Sequence, residues 1–291
     1  MKEVKKVDMH MHSIHSDGTH EPLELLEIAK KKNVAIMALT DHDNIEGSKE
    51  LVKYNDKDIS IYSGVELTAK VPKGRMHILG YNIDLDNPDL NQTLKEMKEA
   101  SIYNLLLYIE IIKKDFGIIL PQAEIDNLIN SKSNIGRPQL ARILLKYGYC
   151  KSINEAFDAY LSHAYEKVRK IKKGLTKEEA IDLINASGGV ASLAHPSSLC
   201  MDNEELFAEI KYLKSIGLSS IEVIHINNNP LQRKYYHELA KYFDLLESGG
   251  TDFHGLEVKP DVEMVTGRNF NVDINENTLS LTKKIKNRYI K

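Results

Sequence analysis

Short runs of β-branched and apolar residues alternate with amphipathic stretches of helical period, and this alternation constrains the fold more than any other feature of the chain. "KKVDMH" reads as a strand, "EPLELLEIAKKKN" as a helix with Pro22 in its first turn and Leu25, Leu26, Ile28 and Ala29 apolar, and "VAIMALTDHD" as a buried strand with its exit loop. That is a βαβ unit. "ISIYSGVE" and "MHILGYNI" add strands. After a gap come helix "TKEEAIDLINASG", strand "GVASLAHP", helix "EELFAEIKYLKSIG", strand "SSIEVIHI", helix "PLQRKYYHELAKYF" and strand "DLLESGGTDFH". The repeated units predict an α/β protein with a parallel sheet, open or closed into a barrel. Residues 88–173 read as helical only. The expected organisation is therefore an α/β body, 1–87 and 174–291, interrupted by an all-helical insertion at 88–173.

Composition removes several classes of function. With 42% hydrophobic and 28% charged residues in 291, the chain is ordinary globular material that can bury a sizeable core. A net charge of -3 argues against non-specific binding to nucleic acid or to a membrane surface. The apolar runs are too short to span a bilayer, and "MKEVKKVDMHMH" has no apolar signal core, so a cytoplasmic protein without membrane association is expected. The two cysteines, Cys150 and Cys200, lack CxxC spacing, which argues against a disulfide framework and a thiolate zinc site. Any metal must be held by histidine and carboxylate.

Such residues are abundant where strands end. "VDMHMHSIHSDGTH", residues 7 to 20, places His10, His12, His15, Asp17 and His20 in one short segment. His10 and His12 close the first strand, Asp41 and His42 follow the second, Glu66 follows "YSGV", His195 follows "GVASLA", and Asp252 and His254 follow the last; His77 is the exception, because it begins its strand. Loops at the carboxyl ends of parallel strands converge into one site, so these residues are expected to meet. The two-residue spacing of His10 and His12 points both imidazoles to one face of a strand. Imidazole and carboxylate together suit zinc, manganese or iron better than calcium, and Glu66 is suited to bridge two ions. His15 competes with Asp17 as a ligand. Asp41 is expected to orient His42 or cap its loop, and His20, His163 and His237 read as ordinary solvated or satisfied histidines.

The set "HMHSIHSDG", "ALTDHD", "SGVE", His77, "LAHP" and "GGTDFHG" closely resembles the polymerase and histidinol phosphatase (PHP) family over about 1 to 80 and 174 to 257. The resemblance implies a distorted seven-stranded β/α barrel with a trinuclear metal centre, so three divalent ions per chain (manganese, zinc or iron). His10, His12, Glu66 and Asp252 would hold one ion; Glu66, His77 and His195 a second; Asp17, His42 and His254 a third. Glu66, Asp252 and His195 would carry the catalysis. "NIGRPQLARILLKYGYCKSINEAFDAYL" is similar to the helical insert of the TrpH-like branch, which includes 3',5'-nucleoside bisphosphate phosphatases and 5' exonucleases acting on short RNA. Arg137 and Lys172 are then the expected substrate-binding residues. Gln139 stands where that branch usually has histidine in GRPH, and "YLSHAYEKVRKIKK" replaces its Gly- and Pro-rich segment, which bears on the substrate pocket and leaves the ligand set intact.

The expected activity is metal-dependent hydrolysis of nucleotide phosphate monoesters or diesters by metal-activated hydroxide, on a small phosphorylated nucleotide or short RNA and with no stable protein partner. His225 in "EVIHI" is a further candidate proton donor, although it reads more simply as a strand-end residue. Two alternatives are a histidinol-phosphate phosphatase, against which "GRPQLAR" speaks, and a non-catalytic or proofreading module of a DNA polymerase.

Overall fold

The computed structural model describes residues 4–55, 57–131, 135–169, 171 and 173–290. The chain divides into two compact units, Met1–Gln92 with Leu175–Lys291, and Thr93–Gly174. In the first unit β1 (Lys6–Asp8), β2 (Val34–Ala38) and β3 (Ser60–Tyr62) pair in parallel in the order β1-β2-β3. A second sheet contains β4 (Gly64–Ala69), β5 (Met76–Tyr81), β6 (Val190–Leu193), β7 (Ser220–Ile224) and β8 (Leu246–Gly249) in that order. A third, two-stranded sheet pairs Val262–Glu263 with Gly267–Arg268.

The architecture is α/β, but the sheets are not wholly parallel. β5 pairs antiparallel with both β4 and β6, whereas β6, β7 and β8 run parallel. The cause is local. Residues 70–75 are too few for a parallel crossover, which needs a dozen or more, so β4 and β5 close as a hairpin whose turn includes Gly74 at φ +67°. "ISIYSGVE" is likewise two strands, divided at Ser63 and assigned to different sheets. Glu66 therefore lies within β4, opposite Leu79, and does not follow a strand. Separate sheets of three, five and two strands stand where one seven-stranded barrel sheet was expected, and isolated bridges join Met11 to Phe253 and His42 to Glu66.

Helices in this unit carry strong start signals. Thr176 with Glu179, Asp202 with Glu205 and Asn229 with Gln232 form capping boxes ahead of Lys177–Ala186, Asn203–Ser215 and Pro230–Tyr242. Each cap contributes about 0.5 to 2 kcal/mol. The helix Pro22–Lys31 buries Leu25, Leu26 and Ala29 and ends in Lys30 and Lys31, favourable at the negative end of the helix dipole.

The second unit is helical, comprising the greater part of the helix Pro88–Phe116, then Gln122–Ile129, Arg137–Lys146, Ile153–Ala156 and Ser162–Val168. Its own core includes Leu105, Ile112, Leu140, Leu144, Leu161 and Val168. Arg137 opens its helix with the guanidinium carbon 4.2 Å from the centre of the Tyr165 ring and 5.7 Å from that of Phe157. Gln139 is buried in the same turn, and its Oε1 finds no hydrogen-bond partner among the described residues. Lys172 lies outside the described residues. No helix among the described residues is long and apolar enough to cross a membrane.

Candidate metal centre

β1 and β8 are tied together beyond their ends. The Asp252 N–H donates to the His10 carbonyl (2.8 Å) and the His12 N–H to the Phe253 carbonyl (2.8 Å), which sets His10 and His12 against Asp252 and His254. Gly250 permits this approach, since a Cβ there would lie 2.3 Å from His10 Cβ. On the other side, the Glu66 N–H donates to the Asp41 carbonyl (3.1 Å) and the Asp43 N–H to the Glu66 carbonyl (2.9 Å), joining the exit of β2 to β4. His77 begins β5, yet it pairs with Thr68 near the end of β4, because β5 runs backwards. The apparent exception thus lies at the same end of the sheet as the others. His195 and Asp252 hold φ values of +25° and +52°, a left-handed backbone that costs roughly 1 to 3 kcal/mol per residue and that clusters at functional sites.

The Glu66 carboxylate is the hub. Its Oε2 lies 3.2 Å from His10 Nε2, 3.2 Å from His12 Nε2 and 3.1 Å from His42 Nδ1. Its Oε1 lies 2.8 Å from His77 Nδ1 and 2.9 Å from His195 Nε2. Asp252 Oδ1 lies 3.1 Å from His12 Nε2, 3.5 Å from His10 Nε2 and 3.4 Å from His254 Nδ1. Asp17 Oδ1 lies 3.1 Å from His254 Nε2, and Asp17 Oδ2 4.0 Å from His42 Nε2. Four groups present ligand atoms within 4.8 Å of one another: His12, Asp17, His42 and His254; His10, His12 and Glu66; His42, Glu66 and His77; and His10, Glu222 and His225. Seven of the nine histidines and carboxylates expected to bind metal fall in these groups, and the other two, His195 and Asp252, adjoin them through Glu66 and through His10, His12 and His254. His15 does not join any of these groups.

The donor set fits cations. His12 Nε2 and Asp17 Oδ1 are buried without a hydrogen-bond partner among the described residues, although acceptors or donors lie close by. Close approach without hydrogen-bond geometry is what ligands aimed at a shared ion show. Ligand atoms about 2.0 to 2.1 Å from a tetrahedral ion stand roughly 3.3 Å from one another, close to the spacings found here. The electrostatics agree. Burial alone would raise the carboxyls of Glu66 and Asp252, but for Glu66 the surrounding imidazoles, and for Asp252 Lys259 and the histidines, hold them well below the ordinary range. Burial likewise works against a charged His12, but the adjoining carboxylates of Asp252 and Glu66 push it up to about 9, whereas burial drives His42 down to about 4. Buried carboxylates in this number need positive charge, from protons or from metal ions.

Sequence reasoning missed three supporting groups. Glu222, in the middle of β7 and fully buried, places Oε1 2.9 Å from His10 Nδ1 and accepts from the His195 N–H through Oε2 at 2.7 Å. This is the carboxylate–histidine–metal arrangement that fixes the tautomer of a ligand. A glutamate inside the buried strand "SIEVI" was the available signal. Lys259 Nζ donates to Asp252 Oδ2 at 2.6 Å and to its carbonyl at 2.9 Å, and so restrains the strained residue. Asp8 accepts from the Thr251 N–H and hydroxyl and the Val265 N–H, pinning the loops that follow β8. Asp41, by contrast, accepts from the Ser13 N–H, the Ser13 hydroxyl and the Ser16 hydroxyl, so it holds the loop between His12 and Asp17. His225 is buried, accepts the Asn227 N–H at Nδ1 (3.2 Å) and turns Nε2 toward Asp252 Oδ2 at 3.5 Å.

Comparison with known proteins agrees with this geometry. A 5'-3' exoribonuclease of Haemophilus influenzae is 30% identical over 262 residues, covering 86% of this chain and 90% of that protein. A 3',5'-nucleoside bisphosphate phosphatase of Chromobacterium violaceum is 27% identical, covering 85% of this chain and 87% of its own length. Among solved structures, an amidohydrolase from Chromobacterium violaceum with bound sulfate superposes with a TM-score of 0.74 at 27% identity, over 86% of this chain and 87% of that one. The PHP domain model matches residues 8–255, from the aspartate before the paired histidines to the glycine after "TDFH". The chain belongs to the PHP domain family.

Proposed function

We propose that the chain is a metal-dependent phosphoesterase that hydrolyses phosphate monoesters or diesters of nucleotides, either 3',5'-nucleoside bisphosphates or short 5'-phosphorylated oligoribonucleotides. One observation carries the reading. A single buried carboxylate, Glu66, is met by imidazoles from the exit of β1, the exit of β2, the start of β5 and the exit of β6. The two relatives, a nucleoside bisphosphate phosphatase and an exoribonuclease, support the substrate class.

We assign three divalent ions to the nine residues His10, His12, Asp17, His42, Glu66, His77, His195, Asp252 and His254, with manganese, zinc or iron all compatible with nitrogen and carboxylate donors. When bound, such ions lower the pKa of water into the neutral range and neutralise charge on the phosphoryl oxygens. The protein's part is to hold its ligands deprotonated and fixed. Glu66 supplies the negative charge that lets cations sit close together, Asp252 is clamped by Lys259 on one oxygen and presents the other to His12, and His195 is braced by Ser198 at 2.8 Å on Nδ1. The isolated bridges of Met11 with Phe253 and of His42 with Glu66 support reading the three- and five-stranded sheets as parts of one distorted barrel.

Purified, manganese-loaded protein assayed on adenosine 3',5'-bisphosphate, short 5'-phosphorylated RNA and histidinol phosphate tests the assignment. Hydrolysis of a nucleotide substrate is expected, lost on chelation and restored by manganese. Preference for histidinol phosphate, or activity indifferent to chelation, would overturn it.

Within the helical unit we assign Arg137 a substrate phosphate. Support comes from its aromatic stacking, which preorders the guanidinium, and from the fact that no carboxylate pairs with it among the described residues. Arg137→Ala is expected to lower kcat/KM roughly 10- to 100-fold with metal content unchanged, the loss of one charged hydrogen-bonding group. Unchanged kinetics would make it a residue of the helical core alone. The same unit, taken from sequence as 88–173, is proposed to contribute to the substrate pocket.

A further inference from the structure

We propose that Lys70 and Arg75 form a cationic rim on the metal-centre face of the β4–β5 hairpin, which binds the phosphate of the substrate that is not hydrolysed. The proposal rests on the phosphoesterase reading above and adds a subsite to it.

The strand register supplies the geometry. Glu66, Thr68 and Lys70 alternate onto one face of β4 and its extension, and His77 and Arg75 onto one face of β5 and its extension. Thr68 is paired with His77, so these are the same face of the sheet, and Lys70 and Arg75 follow the last registered pair, Ala69 with Met76. Along this face Glu66 is buried, Thr68 and His77 are half-buried, and Lys70 and Arg75 are exposed. The face that holds the hub of the metal centre thus opens to solvent between two cations.

Both positions are rigid at the backbone. The Lys70 N–H donates to the Leu175 carbonyl at 2.8 Å and the Arg75 N–H to the Ser198 carbonyl at 2.9 Å. The Ser198 hydroxyl donates to the Arg75 carbonyl at 2.8 Å and lies 2.8 Å from His195 Nδ1, so the backbone of Arg75 is fixed relative to a metal-site imidazole.

Charge balance points to an anion. Neighbouring like charges at cross-strand positions destabilise a hairpin. Among the described residues neither Lys70 nor Arg75 has an acidic partner, whereas the intervening Lys73 lies 3.5 Å from Glu205. A phosphate between them would relieve the repulsion, and the planar fork of Arg75 suits two of its oxygens. A nucleotide with one phosphate at the metal centre and another nearby, a 3',5'-bisphosphate or the next phosphodiester of a short RNA, has the matching chemistry.

The test compares wild-type, manganese-loaded protein with the K70Q/R75Q variant. Equilibrium binding of adenosine 3',5'-bisphosphate is measured by calorimetry on the chelated proteins, which do not turn it over, and kinetics of the manganese-loaded proteins on that compound and on p-nitrophenyl phosphate, which has no second phosphate. The expected result is a rise in Kd and KM for the bisphosphate of roughly 10- to 100-fold, as for lost charged hydrogen bonds. Metal content and kinetics on p-nitrophenyl phosphate should be unchanged. A bisphosphate Kd within twofold of wild type, or an equal loss on both substrates, would overturn the rim. If the wild type hydrolyses neither compound, the phosphoesterase reading fails on its own, while the calorimetric comparison still decides whether Lys70 and Arg75 bind the bisphosphate.

Discussion

Glu66→Gln is expected to strip the metal centre and abolish turnover while leaving the backbone fold intact. The side chain keeps its shape and its position within β4, but it loses the charge shared by His10, His12, His42, His77 and His195. An amide also presents N–H groups where a carboxylate presents only acceptors, so one face of the hub would oppose its imidazoles. Breaking a buried charge network by removing one partner costs about 3 to 5 kcal/mol, a factor of roughly a hundred to a few thousand in affinity. Elemental analysis after manganese loading, with circular dichroism as the control on folding, reads this out. Asp41→Asn should be milder, about tenfold, because its three donors belong to the loop at Ser13 and Ser16 and an amide oxygen still accepts some of them. Full metal content and normal turnover in Glu66→Gln would place the hub elsewhere.

The second large effect is expected at Glu222, a residue outside the proposed ligand set. Its two oxygens serve different partners, the His10 ring at 2.9 Å and the His195 N–H at 2.7 Å. Gln has one oxygen. If that oxygen stays with the His195 N–H, the amide N–H faces His10 Nδ1 and drives the imidazole proton to Nε2, the atom aimed at Glu66 and Asp252. If it turns to His10, an N–H meets the His195 N–H, and the strained φ of +25° loses its restraint. Both arrangements disfavour ligation. Glu222→Gln should therefore weaken metal binding about 10- to 100-fold and lower the Tm of the metal-free protein as well. Metal titration and thermal denaturation of chelated protein measure the two effects. A variant that binds manganese like the wild type would show that His10 needs no carboxylate behind it.

How much of this was legible in the chain follows from the range of each cause. His10 and His12 were readable as a pair because a spacing of two on extended chain puts both rings on one side, whatever the rest of the fold does. His42, Asp252 and His254 were readable because each follows a stretch that reads as a strand. The helices "TKEEAIDLINASG" and "PLQRKYYHELAKYF" were readable from their amphipathic period, which is also a local property. Lys172 was also named from the chain, but it lies outside the described residues. The seven-stranded barrel was inferred from resemblance, and the strands are hydrogen-bonded as sheets of three, five and two.

What only the tertiary structure decided are matters of direction and of long-range pairing. The apolar pattern of "MHILGYNI" is the same for a strand run either way, and pairing with both β4 and β6 made it antiparallel and brought His77 to the metal end. The division of "ISIYSGVE" at Ser63 was likewise invisible, because each half is a plausible strand and the choice of partner sheet is made by residues far away. Glu222 and Lys259 were not singled out for a related reason: a charge acquires a role from its neighbours, and those neighbours, His10 and Asp252, are fixed by the fold. Ligand identity is a property of residue types and short spacings, which sequence carries directly. The hub at Glu66 and the braces behind it depend on which strand lies beside which, and that is settled by the packing of the whole chain.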